Sequence, residues 1–169
     1  MITHTATIDG APALVQLINL AYRVEEFFVH GNRVTQEYVS AHIGIPKADF
    51  LVIDSPDSKS LIGAVYVEVR GDRGYFGLLS VDPSQQKQGL GRTLVNAAET
   101  YCRAAGCHDL EIEVVNLRTE LPAFYAKFGF TPFAIAPFPH PGRLRQEAHL
   151  VLMTKSLVEK RGEESQSAA

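Results

Sequence analysis

The fold is decided by residues 79–92, which read Leu79-Ser80-Val81-Asp82-Pro83-Ser84-Gln85-Gln86-Lys87-Gln88-Gly89-Leu90-Gly91-Arg92. The first three residues end an apolar run that is typical of a buried strand, and a helical repeat of apolar residues begins at Leu90. Glycines at the junction permit positive φ angles and the close approach of a ligand to the main chain. Because the start of a helix carries unpaired N–H groups and a partial positive charge, the junction is typical of a turn that binds a pyrophosphate.

The glycine pattern alone leaves a second interpretation open, since two glycines in a turn are often purely structural. The loop also lacks the GxxxxGK[ST] pattern of P-loop proteins and the GxGxxG pattern of dinucleotide-binding folds. Its interpretation therefore depends on the rest of the chain.

Outward from this turn, apolar patterns predict strands that alternate with helices. The predicted strands are residues 5–8, 50–53, 61–69, 75–81, 110–115, 130–135 and 149–153. The predicted helices begin at Asp9, Thr35, Gly89 and Thr119, with Asp9, Thr35 and Thr119 as N-caps. A strand–helix–strand crossover implies parallel neighbours, whereas the flanking hairpins are antiparallel. We therefore expect a mixed α/β sheet, mostly antiparallel, of six to seven strands with helices on both faces.

Length and composition predict one domain, residues 1–158, followed by a disordered polar tail, residues 159–169. Hydrophobic residues make up 46% of the chain and charged residues 21%, as in ordinary soluble proteins. A net charge of -3 gives no general attraction to nucleic acid or to an anionic membrane, so neither is a predicted partner. The cysteines, Cys102 and Cys107, lack metal-ligand spacing, and no metal is predicted. With neither a signal peptide nor a long apolar stretch, we expect a cytoplasmic protein.

A second motif lies downstream, where residues 123–130 read Ala123-Phe124-Tyr125-Ala126-Lys127-Phe128-Gly129-Phe130. Together with Gln86-x-x-Gly89-x-Gly91, it resembles the two signatures of the GNAT superfamily of acyl-CoA-dependent N-acyltransferases, and the resemblance covers about residues 5–155. The resemblance implies a splayed central pair of parallel strands, with the pantetheine arm of acetyl-CoA in the gap. The implied activity is the transfer of an acetyl group from acetyl-CoA to a primary amine, by direct attack in a ternary complex.

The resemblance also implies which residues bind acetyl-CoA. Main-chain atoms at the end of the central strand would pair with the pantetheine arm; these belong to Leu79, Ser80 and Val81. The turn would hold the pyrophosphate through N–H groups and two positive side chains; its residues are Gln86, Lys87, Gln88, Gly89, Leu90, Gly91 and Arg92. Many members of the superfamily place a cofactor-binding asparagine seven residues before the motif tyrosine. Here Arg118 occupies that position and Asn116 lies two residues earlier, so both are candidates.

The tyrosine of the second motif, Tyr125, is the implied general acid. When an amine attacks a thioester, the thiolate that leaves must be protonated, and a phenol near the sulfur can donate that proton. A protonated amine must lose a proton before it attacks, and Glu113 is the predicted base. Glu111 on the same strand face and Glu68 acting through water are alternatives. Each side chain also has a structural interpretation, Tyr125 as a packed aromatic and the glutamates as the wet face of a strand.

The resemblance places the acceptor between the first helices and the loop that joins the last two strands, here residues 22–33 and 136–145. The predicted acceptor-binding residues in these segments are Glu25, Glu26, Phe28, Arg143 and Arg145. The glutamates would attract an amine, and the arginines would hold a carboxylate. A small-molecule amine is therefore the predicted substrate, and the chain is expected to act as a monomer or a homodimer.

Three other functions remain open at the level of sequence. The chain could acetylate a protein N-terminus or a lysine, which would need a wider acceptor cleft. It could bind acyl-CoA without catalysis, or it could be a plain α/β scaffold with an incidental glycine turn.

Overall fold

The computed structural model describes residues 2–159, and the predicted disordered tail lies outside the described residues from position 160 onward. Within the described range, the strands are β1 (His4–Thr5), β2 (Ala48–Asp54), β3 (Leu61–Arg70), β4 (Arg73–Val81), β5 (Asp109–Val115), β6 (Thr131–Pro137) and β7 (His149–Ser156). The α-helices of the same range are α1 (Ala11–Ala21), α2 (Gln36–Ile43), α3 (Leu90–Ala104) and α4 (Leu121–Ala126). Short 3-10 helices cover Ile8–Gly10, Tyr22–Glu25, Pro83–Gln85 and Pro141–Arg143.

The strands form one sheet in the order β1-β2-β3-β4-β5-β7-β6. Strands β4 and β5 pair in parallel, and every other neighbouring pair in the sheet is antiparallel. The prediction of a mixed, mostly antiparallel sheet around one parallel pair is therefore confirmed. The parallel pair is the consequence of helix α3, which carries the chain from the end of β4 back to the start of β5.

Helices cover both faces of the sheet, as predicted. On one face, α1 and α2 bury Leu14, Ile18 and Val39 against side chains of β2 and β3. On the other face, α3 buries Leu94 and Val95 in a cluster that also contains residues of β4, β5 and β7. Each helix contributes an apolar stripe at helical spacing, so burial of that stripe holds it to the sheet.

Two of the predicted N-caps are wrong. Asp9 lies within the 3-10 turn Ile8–Gly10, so helix α1 starts later and Gly10 is its N-cap. This turn also shortens the predicted strand at residues 5–8 to the two residues of β1. Helix α4 begins after Glu120, and Thr119 does not cap it. Thr35 does cap α2, since its hydroxyl accepts a hydrogen bond from the N–H of Tyr38.

The parallel pair of strands opens along its length. Its register pairs are Arg73 with Asp109, Gly74 with Leu110 and Tyr75 with Glu111. Beyond them β4 stays paired with β3 and β5 stays paired with β7, so a gap forms toward the carboxyl ends of both strands. Leu78 has a left-handed φ of 53°, next to an irregularity in the β3–β4 register. This bulge bends β4 and leaves main-chain groups of its last residues without a partner strand on the β5 side.

Candidate active site

Two cavities meet at the gap between β4 and β5. The inner cavity, of about 420 Å³, lies between the segment that follows α1 and the β6–β7 loop, and its lining includes Glu25, Tyr75 and Glu113. The outer groove, of about 960 Å³, runs along the glycine loop and helix α4. Residues that line both spaces are Tyr22, Leu79, Arg118, Leu121 and Tyr125. A molecule in the groove can therefore reach a second molecule in the inner cavity.

The glycine loop has the geometry of an anion-binding turn. Lys87 and Gly89 adopt left-handed conformations, with φ of 69° and 78°, and Gly89 is the N-cap of α3. The main-chain carbonyl of Gly89 accepts from Thr93, which starts the helical hydrogen-bond pattern. The first N–H groups of a helix have no acceptor within it. At α3 these groups belong to residues that line the outer groove, so they are placed to meet a negative ligand there.

The structure places most predicted cofactor-binding residues along the outer groove. These are Leu79, Val81, Gln86, Lys87, Gly89, Leu90, Gly91, Arg92 and Arg118. Two others face elsewhere, because the Gln88 side chain donates to Gln85 and the Ser80 hydroxyl, which is buried, donates to the carbonyl of Leu78. Their main-chain groups are unaffected by these bonds.

The two candidates for the family's asparagine contact differ in their surroundings. Asn116 lies outside both cavities, since its Oδ1 accepts from the N–H of His149 at 2.8 Å and thereby ties the end of β5 to β7. Arg118 lies at the junction, where its Nε donates to Glu120 at 2.7 Å and its Nη1 is 3.8 Å from Glu25. The junction therefore carries a guanidinium that is already paired with carboxylates.

Tyr125 is held at the junction by aromatic packing. Its ring centroid lies 5.0 Å from that of Phe124, 5.9 Å from that of Phe130 and 6.0 Å from that of Phe76. Burial, with 6% of the residue exposed, raises the pKa of Tyr125 well above its usual value. Its hydroxyl makes no hydrogen bond to any described residue. The phenol is therefore protonated at neutral pH and free to donate into the space where the cavities meet.

Of the three carboxylates considered as bases, Glu113 is the one that lines the inner cavity. It is exposed on β5 between two buried neighbours, as the alternation of a half-buried strand requires. Glu111 lines neither cavity, and its carboxylate accepts a hydrogen bond from Arg73 at 3.2 Å. Glu68 accepts hydrogen bonds from Tyr66 at 2.8 Å and from Arg70 at 3.2 Å, outside both cavities.

The segment after α1 supplies a further carboxylate to the inner cavity. Glu25 is 7% exposed, and its burial raises its pKa while the nearby Arg118 opposes the rise. Phe28 is fully buried beside it and also lines the cavity. Glu26 is exposed and lines neither space. The structure thus brings two of the three predicted acceptor-binding residues of this segment into the cavity.

The β6–β7 loop is fastened over the inner cavity by Arg143. Its guanidinium donates to the carbonyls of His30, at 2.8 and 3.0 Å, and of Asn32, at 2.6 Å. Main-chain bonds reinforce the contact, from the N–H of His30 to the carbonyl of Arg143 and from the N–H of Arg145 to the carbonyl of Phe28. The Arg145 side chain is exposed and lines neither cavity. Arg143 therefore ties the β6–β7 loop to the segment after α1, with its Nε and Nη2 bound to the main chain.

The inner cavity is also lined by side chains that were not selected as site residues from the sequence, among them Tyr22, Arg33 and Tyr75. The first two lie within the predicted acceptor segment, residues 22–33. Burial raises the pKa of Tyr22 to about 12 and that of Tyr75 higher still, so both phenols are neutral donors. The sequence held one signal for the position of Tyr75, which is the glycine two residues later in the same strand, Gly77. A Cβ at Gly77 would lie 2.6 Å from the Tyr75 hydroxyl, so glycine leaves room for this ring along β4.

The comparisons with known proteins agree with this geometry. The family model described as "Acetyltransferase (GNAT) family" matches residues 13–130. The chain belongs to this family. The matched part of the GNAT domain contains the glycine loop, β4, β5, Glu113 and Tyr125.

Two curated relatives match part of the chain. A mycothiol acetyltransferase from Beutenbergia cavernae is 34% identical over 91 residues, which are 53% of this chain and 30% of that protein. Glucosamine 6-phosphate N-acetyltransferase 1 from Oryza sativa subsp. japonica is 33% identical over 92 residues, which are 49% of this chain and 54% of that protein. The GNAT chain described here thus spans between 30% and 54% of the length of these relatives.

Solved structures share the fold over nearly the whole chain. The ribosomal-protein-S18-alanine N-acetyltransferase from Escherichia coli has a TM-score of 0.75 at 16% identity, covering 96% of this chain and 97% of that one. The protein yncA from Salmonella typhimurium, solved with its cofactor acetyl-CoA, has a TM-score of 0.74 at 17% identity, covering 97% and 98%. At these identities the likeness shows a common fold.

Within residues 2–159, no helix is both long and apolar enough to cross a membrane. Across the same residues, no group of three or more His, Cys, Asp or Glu side chains is placed to hold a metal ion.

Replacing Arg143 by alanine should loosen the closure of the inner cavity. The change removes three hydrogen bonds to main-chain carbonyls, and bonds from charged donors contribute about 1.5–3 kcal/mol each. We expect amide hydrogen exchange in residues 28–32 and 138–146 to become at least about tenfold faster, as measured by mass spectrometry. Arg145→Ala is the matched control, because that side chain is exposed and makes none of these bonds. Equal exchange in the two variants would contradict the assignment.

Proposed function

We propose that this chain transfers an acetyl group from acetyl-CoA to a primary amine of a small molecule, by direct attack in a ternary complex. The observation that carries the proposal is the position of Tyr125, a protonated phenol at the junction of the groove and the inner cavity. Glu113 lines the same inner cavity. An acid and a base at one junction are what aminolysis of a thioester requires.

The outer groove suits acetyl-CoA in shape and charge. Main-chain groups near Leu79 and Val81 lack a β5 partner, and an extended amide chain such as pantetheine can pair with such an edge. The α3 amides, with Lys87 and Arg92, face the position of a pyrophosphate. Phe124 and Phe128 add apolar surface to the same wall. This arrangement supports the cofactor assignment that family membership suggests, and acetyl-CoA is the proposed acetyl donor.

The proposed chemistry divides between two side chains. Glu113 accepts a proton from the ammonium form of the substrate, directly or through water, which frees the nitrogen lone pair. The nitrogen attacks the thioester carbonyl carbon, so a C–N bond forms and the C–S bond breaks. Tyr125 donates its proton to the departing thiolate and later regains one from solvent. The products are an N-acetyl amide and free coenzyme A.

The closed inner cavity favours a small acceptor over a protein. A volume of about 420 Å³ is at the lower end of the range for small-molecule sites. The hydrogen bonds of Arg143 also hold the β6–β7 loop against the segment after α1 at this cavity. The two relatives described above are named for mycothiol and for glucosamine 6-phosphate, which are both small molecules. A peptide substrate would need this loop to open, and a peptide N-terminus therefore belongs in the amine panel that tests the proposal.

Tyr125→Phe should reduce turnover by about 10²–10⁴-fold, because the variant removes the proton donor and keeps the aromatic packing. The measurement is thiol release from acetyl-CoA across an amine panel, with calorimetry to show that coenzyme A still binds. Tyr101→Phe is the control, since Tyr101 donates to Asp49 at 2.8 Å and lines neither cavity. Unchanged turnover in Tyr125→Phe would exclude Tyr125 as the acid. Cofactor binding with no thiol release by the parent would instead indicate a non-catalytic acyl-CoA-binding domain.

Glu113→Gln should lower kcat/KM at pH 7 by at least about tenfold, because the amine is then largely protonated. The deficit should shrink as pH approaches the pKa of the amine, where free amine no longer needs a base. Glu111→Gln is the matched control on the same strand, and its carboxylate is bound to Arg73 outside the cavity. A deficit that stays constant across pH, or that is equal in the two variants, would argue against Glu113 as the base.

Gly91→Asp should abolish coenzyme A binding without destabilising the fold. A carboxylate in the first turn of a helix is favourable to the helix, but here it would repel a pyrophosphate. Gly91→Ala is the control, since its Cβ would lie 3.5 Å from Phe124 in ordinary contact. We expect affinity within about threefold of the parent for the alanine variant and a loss of at least about 100-fold for the aspartate variant, by calorimetry. Retained binding in Gly91→Asp would place the pyrophosphate elsewhere.

A further inference from the structure

One arginine of the inner cavity, Arg33, is exposed, and its guanidinium is not bound to a carboxylate or a carbonyl of the described residues. Arg33, on the segment between α1 and α2, lines this cavity, and its guanidinium carbon lies 5.3 Å from the centroid of the Tyr22 ring. Within residues 2–159 its guanidinium makes neither an ion pair nor a hydrogen bond. The cavity's other two arginines have partners: Arg118 is paired with Glu120 and Glu25, and Arg143 donates from Nε and Nη2 to main-chain carbonyls.

The charge of Arg33 acts inside the cavity. Burial raises the pKa values of Tyr22, Glu25 and Tyr75, and the positive charge of Arg33 opposes the rise in each case. All three side chains line the inner cavity, so the guanidinium is close enough to shape its potential. An uncommitted guanidinium presents a planar set of N–H donors that match the oxygens of a carboxylate or a phosphate.

We propose that the acceptor is an amine that also carries an anionic group, a carboxylate or a phosphate, and that Arg33 binds this group. The inference rests on the proposed function, in which the amine of the acceptor faces Glu113. It assigns to Arg33 the anion-binding role that the sequence suggested for Arg143 and Arg145, because Nε and Nη2 of Arg143 already bind main-chain carbonyls and Arg145 lies outside the cavity. Arg33 is then a residue that determines substrate specificity.

The competing explanation is that Arg33 is a surface side chain that stacks on Tyr22. That role would contribute to stability and would be indifferent to the charge of the acceptor. The two explanations differ in whether an anionic acceptor is preferred over a neutral one of the same size.

The test uses matched pairs of amines on the intact protein saturated with coenzyme A or acetyl-CoA. One set pairs α-amino acids with their amides, and the other pairs aminoalkyl phosphates with the corresponding amino alcohols. The Kd is measured by calorimetry and the KM by thiol release. We expect the parent to prefer the anionic member of at least one set by about tenfold or more, and the set that shows the preference identifies the anion.

Arg33→Gln should remove this preference by raising Kd and KM for the anionic member, with little change for the neutral member and in kcat. Arg33→Lys should keep part of it, because it retains the charge without the planar fork. Arg145→Gln is the matched control, since it loses the same charge at an exposed position outside the cavity. Its preference should equal that of the parent.

Several results would overturn the inference: equal binding of both members of every pair, no binding of any pair, or a preference that survives in a folded Arg33→Gln protein. Thermal unfolding of each variant establishes that it is folded. If Arg33→Gln is unfolded, Arg33→Lys is the variant that tests the preference. Failure of the proposed function is a separate result. If acetyl-CoA binds and no amine is acetylated, the enzyme assignment fails, whereas the calorimetric preference still decides the role of Arg33.

Discussion

The site depends on the separation of β4 from β5 after Tyr75. Both strands remain in the sheet, because β4 keeps its pairing with β3 and β5 keeps its pairing with β7 along its whole length. The left-handed residue Leu78 bends β4 within this arrangement. Hydrogen-bonding groups on the inner edge of β4 then need another partner, either water or a ligand with its own amides. A structural irregularity in the sheet therefore produces a slot whose chemistry suits an extended chain of amides.

The topology brings the remaining parts of the site to this slot. Parallel strands end at the same edge of a sheet, so the loop after β4 and the helix after β5 both lie at the open end of the gap. The first supplies the amides of α3, and the second supplies Tyr125. Aromatic contacts with Phe76 and Phe130 fix the phenol, and burial keeps it protonated. The side chain that we propose as the acid is thus held by the same core that holds α4 to the sheet.

Sequence patterns predicted what depends on local rules. Strands, helices, the parallel crossover and the left-handed glycine of the turn follow from apolar periodicity and backbone sterics, and α3 begins within a residue of its expected start at Gly89. Capping at Asp9 and Thr119 was predicted by the same local rules and is wrong, because a 3-10 turn and Glu120 set the helix starts. The surroundings of Arg143 and Arg33 were not predictable, since they depend on contacts between segments about a hundred residues apart. Arg143 binds carbonyls that only the folded chain brings near it, whereas the guanidinium of Arg33 forms no ion pair or hydrogen bond within residues 2–159.

The charge that the inner cavity presents to a ligand depends on which of its charged side chains already have partners. Arg118 is paired with two carboxylates, whereas Arg143 keeps its charge and donates from Nε and Nη2 to main-chain carbonyls. Glu25 is buried with its carboxylate 3.8 Å from Arg118, which offsets its charge. Glu113 on β5 and Arg33 on the segment after α1 both line the cavity, are exposed and form no ion pair or hydrogen bond within residues 2–159. A ligand that carries a positive and a negative group can therefore pair with both side chains, whereas a ligand with a single charge can pair with one of them.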